Sequence, residues 1–293
     1  MNHVTPASPP VVDPHADETT RMIDVGGRRV AMTVSGRGTA TVVLETGLGA
    51  ESDEWATVQY GIARFARVVR YDRAGRGRSD QAPTPRTADD MVDDLRTLLC
   101  RAGIDGPHIV VGHSFGGLLA RRYALRRRSE VAAIVLVDAM HEDQFTLFAP
   151  HFPPPTPEES PQLASLRAFW TGAWRDPRST IEGIDFVASL DQGRQVESLG
   201  ALPVRILSAG TFLAMPGVPP HKCADLQALW DSLQASYARL SSDVAHVRIA
   251  ASGHFVQRDR PEAVIAAVEG LVSHESGRAG RSSVDPLYDP TNC

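Results

Sequence analysis

The sequence predicts an α/β protein built on a mostly parallel, doubly wound sheet. Three observations carry that expectation. Largely apolar strand-like runs, such as Thr41–Glu45, Arg67–Tyr71 and Val131–Val137, alternate with amphipathic stretches. Strands that are apolar on both faces are covered on both faces, which is the environment of a parallel sheet. The stretch Thr87–Arg101 places Met91, Leu95, Leu98 and Leu99 at helical spacing. Finally, Gly112-His113-Ser114-Phe115-Gly116 stands between the strand-forming run His108–Val111 and the apolar start of a helix at Gly117–Ala120.

The elements follow in order. Residues 1–21 are proline-rich and polar, without periodicity, and read as a disordered arm. Met22–Ser35 reads as a hairpin turning at Gly26-Gly27. The strand at Thr41–Glu45 precedes a helix over 55–65, the strand at Arg67–Tyr71 and the helix at Thr87–Arg101. The Ser114 strand, turn and helix come next, then the strand Val131–Val137. After Asp138 the rhythm breaks. Residues 140–202 are rich in proline and aromatics, and Pro153-Pro154-Pro155 fits neither a helix interior nor an inner strand. Alternation resumes with a strand at Val204–Leu207, a helix over 223–240, a strand at His246–Ala250 and a last helix from Pro261 to about His274. Pro261 suits a first helical turn. The core therefore spans 22–139 and 203–275, and 276–293 read as a loose tail.

Composition narrows the function. The chain has 293 residues, 42% hydrophobic and 22% charged, with a net charge of −5. That balance gives no reason to expect nucleic acid or an anionic membrane as partner. No basic start followed by an apolar stretch marks export, and the longest apolar run is too short to span a bilayer, so a cytoplasmic location is expected. Cys100, Cys223 and Cys293 are widely spaced and support neither a disulfide framework nor a zinc site. The arginines at 121, 122, 126, 127 and 128 fall late in the helix after Ser114 and read as a solvated face that suits the helix dipole.

The chemistry centres on Ser114. Glycines two residues before and after it let a strand-to-helix turn close, which pushes the hydroxyl clear of the sheet. A serine hydroxyl needs a base to become a nucleophile near neutral pH. Parallel strands deliver their carboxyl ends to one rim, so partners are sought there. Asp138 directly follows the strand Val131–Val137, and His254 follows a glycine in the loop before the last helix. The order Ser114, Asp138, His254 is nucleophile, acid, base. Glu142, Asp143, Asp225, Asp243 and Asp259 are rival acids. The glycine-bearing turn Glu45-Thr46-Gly47-Leu48-Gly49 can turn its amides inward, and the backbone N–H groups of Leu48 and Phe115 are the expected oxyanion donors. Glu45 would oppose a developing negative charge unless paired, and Arg73, at the end of the adjacent strand, is the expected partner.

Five landmarks, in order, resemble those of the α/β-hydrolases: Leu44–Gly49 as the oxyanion loop, Tyr71–Ser79 after the next strand, Gly112–Gly117 as the nucleophile elbow, Val137-Asp138-Ala139 as the acid position, and Ser252-Gly253-His254 as the base loop. The resemblance runs over about residues 23–275. It implies an eight-stranded sheet with a lid, or cap, inserted after strand six, at 140–202 here. The chain departs from many members in having Glu45-Thr46 where a histidine is common, and in lacking an acid after strand seven. An acid after strand six resembles the subset that includes some lactonases and dehalogenases, but Ser114 argues against the aspartate nucleophile of dehalogenases and epoxide hydrolases. The resemblance implies a hydrolase without cofactor or metal, cleaving a carboxylic ester or lactone of a fairly apolar small molecule. Phe145, Phe148, Trp170 and Trp174 are the candidate substrate-facing residues of the lid. Carbon–carbon, amide or thioester hydrolysis, cofactor-free oxygen chemistry, and a binding protein without turnover are the alternatives.

Overall fold

A computed structural model describes residues 18–211 and 218–279, with side chains described as far as residue 274. Eight strands form one sheet in the order β1-β2-β4-β3-β5-β6-β7-β8. They are β1 (Thr19–Asp24), β2 (Arg29–Ser35), β3 (Thr41–Glu45), β4 (Arg67–Tyr71), β5 (His108–His113), β6 (Val131–Val137), β7 (Val204–Ala209) and β8 (Val244–Ile249). The hairpin β1–β2 pairs antiparallel, β2 joins β4 antiparallel, and every later pairing is parallel.

The largely apolar strands sort by alternation. Val42, Leu44, Val68, Ile109, Val111, Ala133, Val135, Val137 and Leu207 pack on one face with Val58 and Ile62 of α1 (Ala56–Ile62) and Val264, Val268 and Leu271 of α9 (Pro261–Ala279). Val43, Val69, Val110, Ile134, Leu136 and Ile206 point the other way. They meet Val92, Leu95 and Leu99 of α2 (Ala88–Arg101) and Ala120, Tyr123 and Ala124 of α3 (Phe115–Arg126). The two-residue period of a strand thus supplies two cores from one apolar run. Helix α2 starts at a capping box, in which Thr87 and Asp90 satisfy each other's backbone N–H groups.

Several boundaries move. Residues 19–21, expected in the arm, are the first half of β1, because Thr19–Arg21 pair with Met32–Val34. Residues 276–279, expected in the tail, continue α9. The rest of the expected arm, residues 1–17, and of the tail, residues 280–293, lie outside the described residues. Cys223 is a free thiol, and Cys293 lies outside the described residues. The arginine run is also misread as wholly solvated. Arg121 is 1% exposed and lies over the Tyr237 ring, with Nη2 donating to Glu142 Oε2 at 2.9 Å. Arg122 is buried and bonds Asp89 through two nitrogens.

Between β6 and β7 the chain leaves the sheet and forms α4 (Gln144–Phe148), α5 (Pro161–Thr171) and α6 (Phe186–Arg194), with short 3-10 turns between them. Helices α7 (Pro220–Ser236) and α8 (Val256–Asp259) complete the chain. No helix among the described residues is long and apolar enough to cross a membrane.

Candidate active site

Parallel pairing brings the carboxyl ends of the strands to one rim. Glu45 is opposite Gly112, His113 opposite Val137, and Val137 opposite Leu207. Strand order reverses between β3 and β5, and there the elbow and the Glu45–Gly49 turn lie side by side. Ser114 has φ 51°, ψ −119°, a conformation that costs a non-glycine residue on the order of 1–3 kcal/mol and clusters at functional sites. The fold holds it there: Ser114 N–H donates to Val137 O at 3.1 Å, while its carbonyl accepts from Met140 N–H at 2.8 Å and Gly117 N–H at 2.9 Å. The elbow glycines are required by space. A Cβ on Gly112 would sit 2.2 Å from Gly116 O, and one on Gly116 would sit 2.4 Å from Glu45 O.

Asp138 also has a positive φ, 42°. It is 1% exposed, and both carboxylate oxygens are occupied. Oδ2 lies 2.6 Å from His254 Nδ1. Oδ1 accepts from Ala209 N–H at 2.8 Å and Trp230 Nε1–H at 2.7 Å. The rival acids are engaged elsewhere: Glu142 with Arg121, Asp143 with Arg194, Asp225 with Lys222 and His151, Asp243 with Arg205, and Asp259 with Gly253 N–H at 2.8 Å. That last bond fastens the loop carrying His254 to the end of α8.

His113, next to the serine, supports the same loop. Its Nε2 lies 3.0 Å from His254 O, so Nε2–H donates to that carbonyl, and the two imidazole centroids are 4.7 Å apart. On its other side Nδ1 is 3.1 Å from Glu54 Oε1 without the alignment of a hydrogen bond. Glu54 accepts from Arg258 Nη2 at 2.8 Å and Gln257 Nε2 at 2.5 Å. Burial pushes the His113 imidazole below its ordinary value, against the pull of Glu54. Burial also raises the Glu54 carboxyl, but His113 and Arg258 outweigh it and leave that carboxyl below its usual range. Asp138, the His254 loop and the residue before Ser114 thus form one contact set. Among the described residues no hydrogen bond joins the Ser114 hydroxyl to the His254 imidazole.

The Glu45–Gly49 turn lies against Ser114, since a Cβ on Gly47 would be 3.5 Å from Ser114 Cβ. The pairing of Arg73 with Glu45 is present, Nη1 to Oε1 at 2.7 Å, and Tyr71 donates its hydroxyl to Oε2. Burial nevertheless raises the Glu45 carboxyl, and Arg73 and Tyr71 offset this only in part. Sequence reasoning misses the second carboxylate. Glu182, between α5 and α6, takes Arg73 Nη2 and Nε at 2.7 and 2.9 Å, and Gly49 N–H at 2.6 Å. Leu48 N–H has no acceptor among the described residues. Phe115 N–H, first of its helix, has no intrahelical one.

Phe145 stacks on Trp174 at 4.6 Å and Phe148 on Trp170 at 5.2 Å. Phe145, Phe148 and Trp174 are buried in two aromatic clusters that Trp170 joins, one including Phe115 and the other Trp230. A cavity of about 590 Å³ opens between residues 74–86 and 176–183, lined by Arg86, Asp176, Ile181 and Glu182 among others. Neither Ser114, His254 nor any of the four aromatics is among its described lining. Among the described residues, no group of three or more His, Cys, Asp or Glu side chains is arranged to hold a metal ion.

The comparisons with known proteins agree with this architecture. The family model for the alpha/beta hydrolase fold matches residues 40–191, just over half of the chain. The uncharacterized protein YqjL of Bacillus subtilis is 27% identical over 254 residues, 86% of this chain and 89% of that protein. An AB hydrolase superfamily protein of Gibberella zeae is 24% identical over 281 residues, 78% of this chain and 85% of that one. Among solved structures, a haloalkane dehalogenase from Bradyrhizobium elkani superposes with TM-score 0.62 at 18% identity, covering 89% of this chain and 100% of its own. A thermophilic esterase from Thermogutta terrifontis gives TM-score 0.58 at 20% identity, covering 88% of this chain and 98% of its own. At such identities the structures speak for the fold alone, but the family match, the strand order and the elbow agree. The chain belongs to the α/β-hydrolase fold family.

Proposed function

We propose that the protein is a cofactor-free serine hydrolase that cleaves a carboxylic ester or lactone through an acyl-enzyme. The observation that carries this reading is the 2.6 Å contact of Asp138 with His254 at the rim where the strained Ser114 stands. Ser114 Oγ attacks the carbonyl carbon and gives its proton to His254 Nε2. Asp138 holds Nδ1–H, fixing the tautomer and stabilising the imidazolium. The carbonyl oxygen becomes an oxyanion held by Leu48 and Phe115 N–H. As the intermediate collapses, the alkoxide leaves with the proton from Nε2. Water then attacks the acyl-serine with His254 as base, releasing the acid and restoring Ser114.

The segment 140–202 acts in this reading as a cap. A Ser nucleophile separates the chain from the dehalogenase chemistry of one of its structural neighbours. A cytoplasmic setting is the expectation that the sequence carries.

The test is turnover of a panel of p-nitrophenyl esters and aliphatic lactones by purified protein and its Ser114→Ala variant. The reading expects hydrolysis that falls at least about 10⁴-fold in the variant while its circular dichroism is unchanged. Hydrolysis at the wild-type rate in the variant would refute it.

A further inference from the structure

Arg73 is held by more than the neutralisation of Glu45 requires. It is 2% exposed and makes six hydrogen bonds. Besides those to the two carboxylates, Nη1 donates to Thr46 O at 2.7 Å and Thr46 Oγ1 at 2.9 Å, and Nη2 donates to Gly47 O at 2.5 Å. The bond to Gly47 O has a geometric consequence. In a trans peptide the C=O of one residue and the N–H of the next point in opposite directions within one plane. Drawing Gly47 O onto the guanidinium therefore aims Leu48 N–H away from Arg73. Gly47 lies between Arg73 and the elbow, against Ser114 Cβ. One residue beyond Leu48, Glu182 Oε1 takes Gly49 N–H and so removes it as a competing donor. The same guanidinium lies 5.7 Å from the centroid of the ring of Phe115, the residue that bears the other donor.

We propose that Arg73 and Glu182 are positioning residues that set the direction of Leu48 N–H, and that the segment between β6 and β7 completes the oxyanion hole by seating Glu182. The inference rests on the serine-hydrolase reading above and deepens it. Arg73 is reached from two sides, by the oxyanion turn and by Glu182, and its planar fork serves both at once. Lysine, a single point donor, cannot span them. Displacement of the 177–184 stretch removes the carboxylate from Arg73 Nε and Nη2 and frees Gly49 N–H, which loosens the peptide plane carrying the donor. The catalytic donors and the seating of the segment above them are then one structural event.

The experiment compares wild type, Glu182→Gln, Glu182→Asp and Arg73→Lys on a p-nitrophenyl oxoester and its thionoester. An oxyanion hole of N–H donors discriminates between O⁻ and S⁻, so the oxo/thiono ratio of kcat reads donor aim, which general loosening does not alter. Labelling of wild-type Ser114 by a fluorophosphonate is established first. Its absence would sink the hydrolase reading and the inference together, whereas labelling followed by unaffected variants sinks the inference alone. The expected result is a tenfold or greater loss of oxoester kcat in Glu182→Gln, KM within threefold, and a clear fall in the oxo/thiono ratio. Arg73→Lys loses more, and Glu182→Asp recovers part of the loss. If Arg73→Lys does not fold, the two Glu182 variants decide. Oxoester kcat within twofold of wild type, or a loss with the ratio unchanged, overturns the proposal.

Discussion

In the proposed mechanism the rim around Ser114 has a base flank and an oxyanion flank, each centred on a buried polar side chain. On the base flank this is Asp138, and its partners come from the sheet and its immediate connections: Ala209 ends β7, His254 follows β8, and Trp230 reaches in from α7. On the oxyanion flank it is Arg73, set between Glu45 at the end of β3 and Glu182 from outside the sheet. One carboxylate faces one imidazole on the first flank, and two carboxylates share one guanidinium on the second. Burial raises the Glu45 carboxyl, whereas Arg73 and Gly49 N–H outweigh burial and hold that of Glu182 below the usual range. The base flank is therefore a fixture of the core. The oxyanion flank depends on a segment whose path the sheet does not dictate.

That contrast can be broken or sharpened by substitution. The largest effect is expected from Asp138→Asn, which preserves shape but presents the wrong donor pattern to His254. Ester kcat should fall on the order of 10³–10⁴-fold, and a loss under tenfold would shift the acid role elsewhere. Next comes Glu54→Gln, which weakens the support beneath His113 and Arg258. A tenfold loss in kcat is expected, with little change in KM and no change in the oxo/thiono ratio. A fall in that ratio would show that the two flanks are not independent.

Trp230→Phe removes one neutral donor from Asp138 Oδ1 and leaves the Ala209 N–H in place. Such a bond is worth about 1 kcal/mol, so a loss of several-fold in kcat is expected, together with a small loss of stability in urea. A group on neither flank provides the control. His108 starts β5 far from the rim, and burial lowers its imidazole to about 4 from an ordinary 6.5. Between those values the unfolded chain binds a proton that the folded chain refuses, so the stability contribution is complete above pH 6.5 and is lost as pH falls toward 4. From pH 7 to pH 5 the loss is about 2 kcal/mol. In His108→Gln that part of the urea-measured loss should disappear, with turnover at pH 7 unchanged.

The two flanks also differ in how far the sequence discloses them. Ser114 and Asp138 each follow a buried apolar strand and His254 stands in the loop after β8, and strand ends meet at one rim whatever the intervening chain does. Leu48 stands in the turn that the glycines after β3 mark. Glu182 is not legible, because it stands in a stretch with no helical or strand period, 109 residues from its partner. The Trp230 indole N–H is likewise hidden, since a tryptophan on an apolar helix face announces packing only. Arg121 reads as one of a solvated run because its partners, Glu142 and Tyr237, lie outside any local charge pattern. The aromatics of 140–202 were legible as apolar. Their pairing into two buried stacks was not, because periodicity is weak in short helices broken by proline.

In the proposed mechanism Ser114 becomes acylated during turnover. The most direct measurement is acid quenching of the protein within milliseconds of mixing with a p-nitrophenyl ester, followed by mass spectrometry of the peptide containing residue 114. The account predicts a mass increase of one acyl group on Ser114, absent when His254 is replaced by alanine. Full ester turnover with Ser114 unmodified, or with the acyl group on another residue, would contradict it.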